Sequence, residues 1–264
     1  MKKQKFDKIY QWGLKNNRII TVTFELTSLC NWRCKHCYIT DYSNQGLEKD
    51  KIFEILAELR KQNAFDVIFT GGEVLLRDDL LDIVLFARKL GFRVSILSNA
   101  SLLTEELAKA FSEAYISNFS STIFSLDENI HDEITSTKGS LKATLRGLYL
   151  LKKYGISIEV KTPILQSNNN SYKKVAEFAE RNGFEYTCSP IIYPTMNGNK
   201  ATLKLGMNNK TLAKQIWNID SLMKYTKNIV TEEKFLVRLC YIQYIFHQMV
   251  IYIHVAAILI LWEI

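Results

Sequence analysis

Three cysteines fall within eight residues, Cys30-Asn31-Trp32-Arg33-Cys34-Lys35-His36-Cys37, just after a strand-like apolar run from Thr21 to Leu26. A short loop carrying thiolates at this spacing can turn all three toward one small inorganic centre. Structural zinc sites and ordinary cubane clusters are closed by four protein ligands, so a set of three leaves an open position, which is the form chemistry needs. Two other readings use the same residues. His36 could complete a Cys3His zinc knuckle, although the CxxC chelate around it leaves little room to turn the ring inward. Cys34 and Cys37 could act as a thioredoxin-type dithiol, a reading that leaves Cys30 without a role.

More residues of chemical interest sit where later strand-like runs end. Gly71-Gly72-Glu73 follows the run Asp66 to Thr70. Paired glycines let backbone approach a ligand closely, and a carboxylate beside them can accept hydrogen bonds from an ammonium group. Ser98-Asn99 follows Arg93 to Leu97; such residues often do no more than turn a chain. A fourth run, Ser121 to Leu126, brings Ser125 and Asp127 to one face by alternation, and His131-Asp132 and Thr137-Lys138-Gly139-Ser140 come next. Lys161, near the end of the run Ser157 to Thr162, could meet an anionic ligand if it faces inward, while Cys188 reads as a small core residue.

Taken together, CxxxCxxC with His36 in an aromatic-tolerant position and Tyr38 after it, the Gly-Gly-Glu triplet, the Ser-Leu-Asp strand end and the His-Asp…Lys-Gly-Ser segment resemble the radical S-adenosylmethionine (radical SAM) superfamily. They are similar in particular to its peptide-maturing branch with a SPASM extension. The resemblance implies a [4Fe-4S] cluster on Cys30, Cys34 and Cys37, with S-adenosylmethionine chelating the fourth iron. It assigns Glu73, with Gly71 and Gly72, to the amino group of that cofactor. His36, Tyr38, Ser98 and Asn99 become further cofactor contacts, Ser125 with Asp127 lies near the ribose, and His131 is structural. The implied chemistry is a 5'-deoxyadenosyl radical, made with an electron from a donor such as flavodoxin or ferredoxin, that takes hydrogen from a ribosomally made peptide. An enzyme of porphyrin or other cofactor biosynthesis, and a noncatalytic metal-binding fragment, are the alternatives.

Six strand-like runs must position these residues, the last two being Ser157 to Thr162 and Glu185 to Ile191. Helical patterns separate them at Lys51 to Gln62, Asp78 to Leu90, Glu105 to Ala114, Leu141 to Tyr154 and Tyr172 to Asn182. Thr104, Ser140 and Ser171 stand at N-cap positions, and Gly91, Gly155 and Gly183 just past helix ends. Such alternation predicts a parallel α/β sheet curled into a partial (β/α)6 TIM-like barrel, with chemistry at the carboxyl ends of its strands.

The flanks read differently. Residues 1–18 predict a basic amphipathic helix, residues 19–192 the barrel, and residues 193–264 a truncated or aberrant extension, with a helix over 210–227. From Tyr241 the chain is apolar and glycine-free, yet Gln243, His247, Gln248 and His254 make it a poor membrane span. Lys and Arg exceed Asp and Glu by 34 to 27, but no nucleic-acid motif accompanies the excess, so nucleic acid is set aside. Five cysteines, three of them crowded together, with no apolar signal at the N-terminus, predict a reducing cytoplasm rather than a disulfide framework.

Overall fold

In a computed structural model, residues 8–9, 11–13, 15–207 and 250–253 are described. Seven parallel strands form one sheet, β1 (Thr21–Glu25), β2 (Asp66–Thr70), β3 (Arg93–Leu97), β4 (Asn118–Thr122), β5 (Ile158–Pro163), β6 (Glu185–Ser189) and β7 (Val250–Ile253). Their order is β6-β5-β4-β3-β2-β1-β7, so the first six are laid down side by side in chain order. The helices between them are α1 (Lys49–Lys61), α2 (Leu80–Lys89), α3 (Glu105–Glu113), α4 (Glu128–Thr135), α5 (Ser140–Lys153) and α6 (Tyr172–Asn182). The expected α/β barrel is thus present, and β7 adds an edge strand beside β1 from a stretch that read as an aberrant tail. Residues 8–9, 11–13 and 15 are helical, as the amphipathic pattern predicts. The helix expected over 210–227 and the rest of the apolar tail lie outside the described residues.

Alternation sorts each strand into two faces. Val22, Phe24, Val67, Phe69, Val94, Ile96, Phe119, Ile158 and Val160 are buried and pack against Ile52, Leu56, Ile83, Val84, Phe111, Leu148 and Val175 of the helices. Each such side chain taken fully out of water contributes about 1.5–3 kcal/mol, so this layer dominates the fold's stability. The opposite face is more polar. Register aligns Glu25 with Thr70 across β1 and β2, Leu97 with Ser120 across β3 and β4, and Ser120 with Glu159 across β4 and β5. Those side chains look into the barrel, where a ligand would lie.

The fourth strand departs from expectation. It occupies Asn118–Thr122 instead of 121–126, because its first bonds form lower, Ser117 N–H donating to the Val94 carbonyl. Ile123 still bonds β5, its N–H donating to the Lys161 carbonyl at 3.0 Å, and sits in the main core, whereas Phe124 leaves it and joins Ile134 and Leu165 in a satellite cluster. A short helix, α4, follows over a stretch to which the sequence reading assigned no helical pattern.

Candidate active site

The cysteine loop leaves β1 and is stapled at both ends before any ligand arrives. Gly72 N–H donates to the Thr27 carbonyl at 2.8 Å and Glu73 N–H to the Leu29 carbonyl at 2.7 Å. A Cβ on Gly72 would lie 2.3 Å from the Leu29 oxygen, and one on Gly71 2.5 Å from the Thr27 oxygen. The glycine pair is therefore required by the backbone of the cysteine loop itself, whatever approaches from the barrel. On the loop's far side the Arg77 guanidinium, paired with Asp79, donates to the carbonyls of Leu26, Gln45 and Leu47 at 3.0–3.1 Å. Cys37 N–H donates to the Cys34 carbonyl at 3.0 Å, which folds the CxxC segment into a turn.

Cys30, Cys34 and Cys37 share one cavity of ≈ 210 Å³ at the carboxyl ends of the strands. The other walls include His36, Tyr38, Gly71, Gly72, Ser98 and Asn99, so most of the sequence-predicted contacts are brought together. Burial pushes the Cys30 thiol up to about 11, with the charges of Glu73 and Cys37 adding to the effect. Burial and the neighbouring Cys37 and Cys30 raise Cys34 to about 12. The two buried thiols of Cys30 and Cys34, whose ionisation burial and neighbouring charges oppose, suit a cationic centre that ligates thiolate and supplies the missing charge. Among the described residues no group of three or more His, Cys, Asp or Glu side chains is gathered closely enough to hold a single metal ion. Three thiols on one cavity, one short of a closed set, fit a cluster that keeps one iron open.

His36 is half-buried with its ring edge toward Phe124, centroids 5.0 Å apart, and its buried Nδ1 finds no partner among the described residues. Burial lowers it to about 4, so the imidazole is neutral. Tyr38 donates its hydroxyl to Glu25 at 3.3 Å. Ser98 Oγ donates to Glu73 at 2.6 Å and accepts from Ala100 N–H at 2.9 Å. Asn99 Nδ2 donates to Asn31 Oδ1 and Asn31 Nδ2 to Ser101 Oγ, each at 2.9 Å, so the end of β3 grips the cysteine loop directly. Between them Ala100 holds φ 61°, a left-handed backbone that costs a residue with a Cβ about 1–2 kcal/mol. Its carbonyl lies so close to α5 that Gly147 has no room for a side chain, a Cβ there falling 2.2 Å from the oxygen.

Three expected contacts sit elsewhere. Glu73 is fully buried and does not line the cavity; its carboxylate accepts from Leu75 N–H at 2.9 Å and Asn99 N–H at 2.7 Å as well as from Ser98. Ser125 Oγ donates to Ser171 Oγ at 3.1 Å, and the Asp127 carboxylate accepts from Asn129 N–H at 2.9 Å, capping α4. With β4 ending at Thr122, both lie past the strand and off the cavity wall, where Ser120, Ser121 and Thr122 stand instead. Correct strand bounds would have found Ser120 and Thr122 by alternation. Tyr42, hydrogen-bonded to Cys37 and covered by the Arg33 guanidinium 4.1 Å from its ring, also lines the cavity and carried no sequence signal. Lys161 does face inward. Its ammonium lies 3.4 Å from Glu159, whose carboxylate also accepts from Ser120 at 2.7 Å and Thr187 at 2.6 Å.

A parallel α/β barrel whose first strand delivers three cysteines into a cavity walled by the next strand ends is the architecture of a cluster-dependent enzyme. Residues 24–181 match the model of the radical SAM superfamily, and the chain belongs to that enzyme superfamily. It is 28% identical over 170 residues to an AdoMet-dependent heme synthase of Oleidesulfovibrio alaskensis, covering 61% of this chain and 42% of that protein. It is 30% identical over 152 residues to the antilisterial bacteriocin subtilosin biosynthesis protein AlbA of Bacillus subtilis, covering 55% and 33%. The chain thus spans less than half the length of these relatives. Among solved structures, SuiB of Streptococcus suis bound to S-adenosylmethionine superposes with a TM-score of 0.66 at 12% identity, over 84% of this chain and 53% of that one. A structure of anSMEcpe with bound AdoMet gives 0.64 at 16%, over 77% and 60%. These likenesses show the fold. The family uses S-adenosylmethionine and a [4Fe-4S] cluster.

Proposed function

We propose that this chain holds a [4Fe-4S] cluster on Cys30, Cys34 and Cys37 and cleaves S-adenosylmethionine at the cluster's open iron. The observation that supports this best is the meeting of the three cysteines with Gly71, Gly72, Ser98 and Asn99 around one cavity. Bound together and reduced by a one-electron donor such as flavodoxin or ferredoxin, the two cofactors supply a 5'-deoxyadenosyl radical able to take hydrogen from a substrate. The chain's own residues bind and exclude water. Gly71 and Gly72, which line the cavity, would receive the cofactor's amino group, the neutral His36 and Tyr38 would flank it, and the Lys161 ammonium would meet its carboxylate. Glu73 acts from behind this wall, through Ser98 and Asn99.

The substrate in this reading is a ribosomally made peptide that is oxidatively modified. Similarity to the subtilosin biosynthesis protein supports it, as does the likeness in fold to SuiB, which has been seen bound to its precursor peptide. The heme synthase relatives favour a second reading, an iron porphyrin as substrate. Anoxic reconstitution tests the shared chemistry: about four irons and four sulfides per chain and 5'-deoxyadenosine under reductant, with Ser in place of any one of the three cysteines abolishing both. A single zinc per chain would sink it. Incubation with peptide or iron porphyrin, read by mass spectrometry, decides between the substrates.

A further inference from the structure

The cysteine loop is held not only by β2 and β3 but by α4, a helix of two turns that the cofactor reading leaves without a task. Arg33 N–H donates to the Thr135 carbonyl at 3.2 Å and Lys35 N–H to the Ile134 carbonyl at 2.9 Å. The amides on either side of Cys34 thus close the last turn of α4, whose final carbonyls have no partners within the helix. A helix of eight residues does not hold itself in water, so something must hold α4.

That support is a buried polar hub. Asp132 accepts from Gly139 N–H, from Ser140 Oγ at 2.7 Å and from Leu141 N–H at 3.1 Å, placing its carboxylate at the N-terminus of α5. Ser140 Oγ also meets Thr135 Oγ1 at 2.7 Å and His131 Nδ1 at 2.9 Å. The His131 ring, with no exposed surface, takes Trp32 edge-on at 6.0 Å between centroids and Phe124 at 5.6 Å. One group of side chains therefore ties α5 to α4 while touching the cysteine loop through Trp32 and through two main-chain bonds.

We propose that the hub of His131, Asp132, Thr135 and Ser140 is a positioning device for Cys34, presetting the cysteine loop for its cluster. The proposal rests on the reading of that loop as a cluster site. Fixing the amides of residues 33 and 35 fixes the direction of the Cα–Cβ bond between them, so a cluster binds a loop already ordered. Outer partners that orient metal ligands are worth about tenfold to a hundredfold in metal affinity.

The test uses the reconstituted protein and two small variants, Ser140→Ala and Thr135→Val, with Glu133→Ala as control because it breaks only the exposed ion pair to Lys35. Loss of iron to a chelator should speed about tenfold in both hub variants, and the change in the reduced cluster's EPR spectrum on adding S-adenosylmethionine should weaken or vanish. The control should match wild type. Thr135→Val keeps its volume and carries the test if Ser140→Ala does not fold. Variants that lose thermal stability as apoprotein yet release iron and respond to S-adenosylmethionine like wild type would overturn the proposal, leaving the hub a part of the fold alone. Wild-type protein that takes up no iron–sulfur cluster would overturn the reading beneath it, an outcome visible before any variant is made.

Discussion

Replacing Glu73 by glutamine separates two roles for the Gly-Gly-Glu triplet. In one, the carboxylate receives the cofactor's ammonium group; in the other, it is an internal clamp. The structure favours the clamp, since Glu73 has no exposed surface and accepts from Leu75 N–H, Ser98 Oγ and Asn99 N–H. Two of those donors are backbone amides that cannot turn round. Glutamine keeps one oxygen, so its amide nitrogen must face either Leu75 N–H or Asn99 N–H, and one buried donor is left opposed by another. Burial raises the Glu73 carboxyl above its ordinary range, against the hydrogen bonds that lower it. The unsatisfied donor costs about 1–3 kcal/mol. For a domain of this size that lowers Tm by about 2–4 °C per kcal/mol. Calorimetry or urea unfolding of the apoprotein should therefore show a fall of roughly 4–8 °C for a loss of about 2 kcal/mol, while the reconstituted variant keeps S-adenosylmethionine affinity within about tenfold. An ammonium ligand would give the opposite split. Unchanged apoprotein stability with an affinity loss well beyond tenfold, matching about 1.5–3 kcal/mol for a charge-assisted bond, refutes the clamp.

Lys161→Met keeps the side chain's length and removes its charge; the affinity for S-adenosylmethionine, measured by equilibrium binding, should fall about tenfold or more, and an unchanged value removes Lys161 from the site. Gly147→Ala forces a Cβ to 2.2 Å from the Ala100 oxygen, so it should destabilise by about 1–3 kcal/mol despite the better helix propensity of alanine, a sign that urea unfolding reads directly. Burial depresses His131 from 6.5 to about 4, and the stability tied to its neutral form is present above 6.5 and lost as pH falls toward 4. Apoprotein unfolding free energy should thus decline through that window by up to about 1.4 kcal/mol per pH unit from this group, and His131→Gln should flatten the slope.

The fold was legible because its two periods are clean. Val67 and Phe69 alternate with Asp66, Ile68 and Thr70, and α1 carries Ile52 and Leu56 on one buried stripe, so strand and helix could be told apart by spacing alone. Helix ends were legible for the same local reason, with Thr104 accepting from Leu107 N–H and Gly183 taking φ 72°. The fourth strand was misplaced because Ile123, Phe124 and Leu126 are as apolar as strand interior; Ile123 and Leu126 do pack on the main core, but Phe124 turns to Ile134 and Leu165, contacts that spacing along the strand cannot show. Ser125 and Asp127 were carried off the cavity by that error, because the strand ends at Thr122, four residues before Leu126. Ser140 was expected to cap its helix and sits instead one residue inside it, with Asp132 doing the capping from α4.

A distinction among the motif residues follows from these departures. Short motifs mark positions where substitution is intolerable, but two different pressures produce that intolerance. Cys30, Cys34 and Cys37 present their sulfurs to the cavity, whereas Glu73, His131, Asp132 and Ser140 stay off its wall and bond backbone and neighbouring side chains; Ser98 and Asn99 do both, lining the cavity while holding Glu73 and Asn31. Gly71 and Gly72 answer to both, lining the cavity on one side and lying against the Thr27–Leu29 backbone on the other. A sequence cannot separate these groups, because a buried carboxylate that orders a loop and an exposed one that binds an ammonium are the same letter. Burial and hydrogen-bond partners separate them, and the separation assigns variants in advance: those in the second group should lose apoprotein stability together with function, those in the first should lose function alone.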